Sequence, residues 1–124
     1  MKIKLIILLI LSLQACSDKA KSRQQGELLF YRVHIGKNNV IGCISCHSLK
    51  TDIKTTGPSL FAIGLRAGKL IEGVSAKDYL QQSIINPDAF IVSGYSPAIM
   101  FAHYQDELTE TEINSLVTFL QSLK

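Results

Sequence analysis

Apolar and polar positions fall into blocks along this chain, each with its own period. Residues 5–11 read LIILLIL, seven apolar residues after Lys2 and Lys4 and before SLQAC. A basic start, a short apolar run and small residues before a cut point describe an export signal over residues 1–15. The run is shorter than the about 20 apolar residues that a spanning helix needs. The alternative is a buried N-terminal helix. Residues 16–25, CSDKAKSRQQ, carry no apolar period and are expected to form a flexible tether. From Gly26 the pattern changes. GELLFYRV places Leu28, Leu29 and Tyr31 or Arg32 at helical spacings, which predicts a first helix over about 22–34.

The middle of the chain is broken up by turn residues. HIGKNNVIG is turn-rich, CISCHSL reads as a short helical turn, and KTDIKTTGPSLFAIG reads as a loop with a short helix from Pro58 to about Ile63. SAKDYLQQSIINP predicts a helix from Ser75, its N-cap, to Ile85; Asn86 before Pro87 ends it. DAFIVSGYSPAIMFAHYQDE reads as an apolar-studded loop in which AFIVSGY could be briefly extended. The last segment is the clearest. Thr109 and Glu112 match a capping box, and Ile113, Leu116, Val117 and Leu120 follow one helical stripe that Phe119 widens. No sustained strand pattern competes, so the expectation is an all-α single domain over 26–124.

Composition adds limits. A chain of 124 residues suits one domain. Loss of residues 1–15 leaves 109 residues and lowers the formal charge from +3 to +1, since Lys2 and Lys4 leave with no acid. That balance argues against a nucleic-acid partner. A core from so short a chain is modest, and a large buried cofactor would add to it.

The cysteines carry the chemistry. There are three: Cys16, and the pair Cys43 and Cys46 in CISCH, with His47 following. Four readings of the pair compete. Export permits a structural disulfide. A thioredoxin-like redox pair wants a strand-to-helix setting that the pattern lacks. Zinc would need two more ligands at suitable spacing, and none is present. The fourth reading is covalent haem attachment, which C-x-x-C-H marks. Two thiols three positions apart share one side of a helical turn and can bond the two vinyl groups along one haem edge. The adjacent histidine then reaches the iron as proximal ligand. This reading is favoured, and it implies one covalent haem c.

With GELLFY, CISCH, GPSL, NPDAFIVSGY, a late methionine and LTETEI in place, residues 26–123 resemble a class I type monohaem cytochrome c. They are similar in particular to the cytochrome c domain fused to the second subunit of some haem–copper oxidases, without that subunit's copper-site or membrane-helix portions. The resemblance implies the small all-α cytochrome c fold, helices packed around one haem. It implies that Gly26 lets the first helix cross close to the last, near Phe119. It implies that the Pro58 carbonyl accepts a hydrogen bond from His47, and that Tyr95 lines the pocket near the propionates. The sixth ligand comes from a loop before the last helix, which is where Met100 stands. His103, three residues on, is the other donor in reach and is expected to be exposed, as is His34. Where the family often reads Met-Pro, this chain reads Met100-Phe101, with Pro97 three residues earlier.

The N-terminal LQAC resembles a bacterial lipobox, which implies lipid on Cys16 as the first mature residue. The alternative is a secreted protein cut near Ala15 with a free thiol. The expected protein is therefore exported and lipid-anchored at a bacterial membrane, with its domain in the periplasm or otherwise outside the cytoplasmic membrane. It shuttles single electrons through a haem held by His47 and Met100, and it makes no bonds in a substrate. Redox proteins, an oxidase or a dehydrogenase, are the expected partners. Five bases between Cys43 and Lys77, against Asp52 and Glu72, suggest either solvated surface or a basic rim that steers docking. The rival readings are an electron-accepting haem subunit of a periplasmic oxidoreductase and a haem sensor with an open sixth site.

Overall fold

The computed structural model describes residues 2–51 and 53–124, with side chains from Cys16 onward. The side chains of the expected export signal lie outside the described residues, as does Asp52. The chain runs through α1 (Lys2–Phe30), a ribbon of β1 (His34–Ile35) and β2 (Val40–Ile41), a 3-10 turn at Cys43–Ser45, and α2 (Ile63–Arg66). A second 3-10 turn at Ala67–Lys69 follows, then α3 (Ala76–Ile85), a third at Pro87–Ala89, α4 (Tyr104–Glu107) and α5 (Glu110–Ser122). Apart from the two-residue strands, this is an all-α architecture with the form of a small cytochrome c fold. No helix among the described residues is long and apolar enough to cross a membrane.

Two helices set the frame. α1 and α5 cross at Gly26, where an added methyl would run into the Ser115 carbonyl and stand 2.9 Å from Phe119 Cβ. The close approach lets Phe30, fully buried, meet Phe119 with ring centroids 5.5 Å apart. α5 begins at the expected capping box: Thr109 Oγ1 accepts from Glu112 N, and Glu112 Oε2 accepts from Thr109 N at 2.8 Å. Its stripe of Ile113, Leu116, Val117 and Leu120 is buried together with Phe119. Complete burial of a side chain such as Leu116 or Val117 is worth about 1.5–3 kcal/mol. α3 adds Tyr79, Leu80 and Ile84 to the same core, and Ser75 Oγ accepts from Asp78 N at its start.

Several local expectations differ from the structure. Residues 16–25, expected as a tether, are helical and continuous with α1. The stretch contains no Pro or Gly, and its Lys, Ala, Arg and Gln residues propagate a helix that packing holds further on. Ser22 Oγ lies 3.3 Å from Ser115 Oγ, so contact with α5 starts before Gly26. α1 then stops at Phe30 rather than near 34, because the Val33 carbonyl is taken by Gly42 N at 2.7 Å and draws the chain into the ribbon. That ribbon, β1 antiparallel to β2 with His34 opposite Ile41, forms in the segment read as turns. AFIVSGY, the candidate extended run, pairs with no strand among the described residues. The short helix expected from Pro58 starts at Ile63, since Leu60 N is drawn to Ser48 O and Ala62 is left-handed at φ 49°. YQDE, read as part of a loop, is the single turn α4.

Candidate functional site

The CISCH segment folds as a tight helical turn. Cys46 N and His47 N both donate to Cys43 O, at 3.1 and 3.0 Å. Positions i, i+3 and i+4 of such a turn share a side, so Cys43, Cys46 and His47 come to one wall. All three line a cavity of about 560 Å³, a size within the range of sites for large organic ligands. Cys43 and Cys46 form no disulfide. Burial pushes the Cys43 thiol up to about 11, against a backbone hydrogen bond that lowers it. At Cys43 the wall thus favours uncharged sulfur, the form a thioether has.

The loop after CISCH is stitched back onto it. Gly57 N donates to Cys46 O at 2.8 Å, Thr55 Oγ1 donates to the same carbonyl at 2.6 Å, and Leu60 N donates to Ser48 O at 2.8 Å. This places Pro58 O 2.8 Å from His47 Nδ1. A carbonyl can only accept, so the ring proton sits on Nδ1 and Nε2 is left as the basic nitrogen. Burial lowers the His47 pKa, and the Pro58 bond partly opposes that. The imidazole is therefore neutral near pH 7, as a metal ligand must be. Gly57 lies flat against the ring: a methyl there would stand 2.5 Å from His47 Cε1 and 2.8 Å from Nδ1.

The remaining wall comes from the helical core and from the stretch between α3 and α4. Phe30, Ile63, Leu80, Ile84, Leu116 and Leu120 supply apolar surface. Tyr95 and Met100 line the same cavity, both partly buried. Arg66 also reaches it, with its guanidinium donating to Ser59 O and Phe61 O. His103 and His34 are exposed and do not line it; His103 Nδ1 pairs with Asp106 across 3.4 Å. Among the described residues no cluster of three or more His, Cys, Asp or Glu could hold a bare metal ion.

The donor set fits a covalently attached porphyrin. Two unpaired thiols and a neutral, oriented imidazole stand at one wall of a largely apolar cavity. The CISCH motif and the helical fold support a c-type cytochrome. Cys43, Cys46 and His47 would hold one covalently attached haem c, which supports an electron-carrying role. Arg66 is the one Lys or Arg among the described lining residues, and it suits the carboxylates that haem carries. No family model matches the chain, and neither a curated protein nor a solved structure matches it. The assignment therefore rests on the motif and the helical fold.

Residues that were not singled out in the sequence complete the site. Gly57 had a trace, as the glycine before Pro58. Tyr104 had none: it is buried, and its hydroxyl donates to Ile41 O at 2.8 Å, sixty-three positions away in sequence. Burial, with smaller contributions from the two cysteines, raises its pKa, so the phenol stays protonated and keeps donating.

Proposed function

We propose that this cytochrome is a membrane-tethered electron carrier in which His47 and Met100 are the axial ligands. The observation that carries the ligand assignment is that Met100 lines the same cavity as Cys43, Cys46 and His47, whereas His103 is exposed and outside it. Haem c supplies, when bound, a one-electron iron couple. His47 presents Nε2 because Pro58 O holds the proton on Nδ1, and that hydrogen bond raises the basicity of the ring. Met100 supplies a thioether, which raises the potential and favours electron transfer over the chemistry of added ligands. Tyr95 and Arg66 both line the cavity, Arg66 with its guanidinium bonded to Ser59 O and Phe61 O.

Cys16 is exposed and unpaired at the end of LQAC, which supports lipid attachment there. An anchor raises the effective concentration of the carrier beside membrane-bound redox partners, an oxidase or a dehydrogenase. Two measurements test these assignments. Oxidised protein should show the weak near-infrared band of Met ligation, and Met100→Ala should remove it and lower the reduction potential. An unchanged spectrum and potential would refute Met100 as ligand. Mass spectrometry of protein from native membranes should find Cys16 diacylglyceryl-modified at the N-terminus, and an unmodified Cys16 would end the anchor assignment.

A further inference from the structure

The stretch that carries Met100 lacks the proline that would stiffen it after the ligand. Residues 96–99 turn at Ser96-Pro97-Ala98-Ile99, with Pro97 second and Ala98 third. Ala98 has φ 58°, in the left-handed region. A proline second and a left-handed third residue is the arrangement for which glycine or asparagine is preferred at the third place. Alanine pays a steric penalty there, because its Cβ crowds the following carbonyl oxygen. A turn strained in this way persists only if something outside it holds it.

One contact does so. Ala98 N donates to Asp88 Oδ1 at 2.9 Å. Among the described residues, this is the hydrogen bond that ties 96–102 to a distant part of the chain. Asp88 sits in the 3-10 turn Pro87–Ala89 that closes α3, with Pro87 buried beneath it. Beyond Met100, Phe101 packs against Tyr104 with centroids 5.0 Å apart, and Tyr104 is anchored to Ile41 O. Met100 is thus suspended between an aromatic anchor one residue after it and a carboxylate anchor two residues before it.

We infer that Asp88 is a positioning residue for the Met100 ligand, holding the Ala98 turn that keeps the thioether at the cavity wall. The inference rests on Met100 as the sixth ligand and says what keeps it in place. The carboxylate's role is to accept, so an amide oxygen can substitute for it. The backbone strain at Ala98 sets the load, so a glycine there should relieve it.

The experiment measures the affinity of oxidised holoprotein for imidazole, an exogenous ligand that competes with Met100, along with the near-infrared band. Asp88→Ala should raise the imidazole affinity by about three- to tenfold, the factor carried by one net hydrogen bond, and weaken the band. Asp88→Asn should stay close to wild type. Ala98→Gly placed on the Asp88→Ala background should restore most of the loss. The inference is overturned if Asp88→Ala leaves imidazole affinity and band unchanged, including when its melting temperature falls. It is also overturned if Ala98→Gly gives no rescue, or if Asp88→Asn behaves like Asp88→Ala. Met100→Ala is the separating control. If it alters the spectrum while Asp88→Ala does not, the ligand stands and the positioning role fails. If Met100→Ala alters nothing, both fall.

Discussion

Replacing Gly57 by alanine tests whether the loop under His47 is as closely fitted as its geometry implies. The added methyl would stand 2.5 Å from His47 Cε1 and 2.9 Å from Nε2, well inside van der Waals contact. Neither side yields easily. The loop is fixed by Gly57 N on Cys46 O, and the ring is held at Nδ1 by Pro58 O. Overpacking of this kind costs about 1–3 kcal/mol. Displacing the ring to make room also forfeits the Nδ1–Pro58 bond, about 0.5–1.5 kcal/mol. A total of about 2–4 kcal/mol follows for Gly57→Ala in holoprotein. For a domain near 100 residues, 1 kcal/mol moves the melting temperature by about 4–8 °C. A fall of at least about 8 °C is expected, together with a changed reduction potential, since the imidazole loses its acceptor. Gly73→Ala is a useful comparison: its φ is 75° but nothing lies within 4 Å, so only the left-handed backbone cost of about 1–2 kcal/mol applies. A Gly57→Ala protein that melts within 2 °C of wild type with an unchanged potential would refute the reasoning.

Thr109→Ala should destabilise the fold by about 1 kcal/mol, read by urea unfolding, because it removes the N-cap acceptor and half of the box with Glu112. Glu107 carries a pH signature. Two hydrogen bonds from Asn38, at 2.8 and 2.9 Å, hold its carboxyl below the usual 4.5. A depressed carboxylate contributes stability that is fully present above its unfolded value and is lost as pH falls through the folded one. Stability measured from pH 6 downward should therefore drop below about pH 4.5 in wild type by a component that Glu107→Gln lacks; parallel curves for the two proteins would count against the Asn38 clamp.

Much of the site was legible because attachment chemistry is local. CISCH needs five consecutive residues, and a helical turn alone brings Cys43, Cys46 and His47 to one side. The role of Pro58 was implied by the family resemblance, whereas Gly57, its neighbour in the loop that stitches onto Cys46 and Ser48, was marked only as a loop glycine. α5 and α3 were legible through their caps and stripes, which are signals of a single element. The rest was not, because the signals there point elsewhere or do not exist. Residues 16–25 lack an apolar period, yet a helix can propagate through them from a packed turn at Gly26. AFIVSGY has strand-like composition but no partner strand among the described residues, while the turn-rich 34–41 has one in itself.

The sequence by itself determined the cofactor chemistry and the helical class, since a C-x-x-C-H turn and a capped amphipathic helix are specified over a few residues. Only the tertiary structure decided which distant residues complete the cavity. The packing of α1 on α5 brings Phe30 to Phe119, and α4 carries Tyr104 to Ile41. The end of α3 sets Asp88 under Ala98, two residues from Met100. Those pairings span ten to nearly ninety positions of chain. No local propensity encodes them, because their energy comes from surfaces that meet only after the helices have packed.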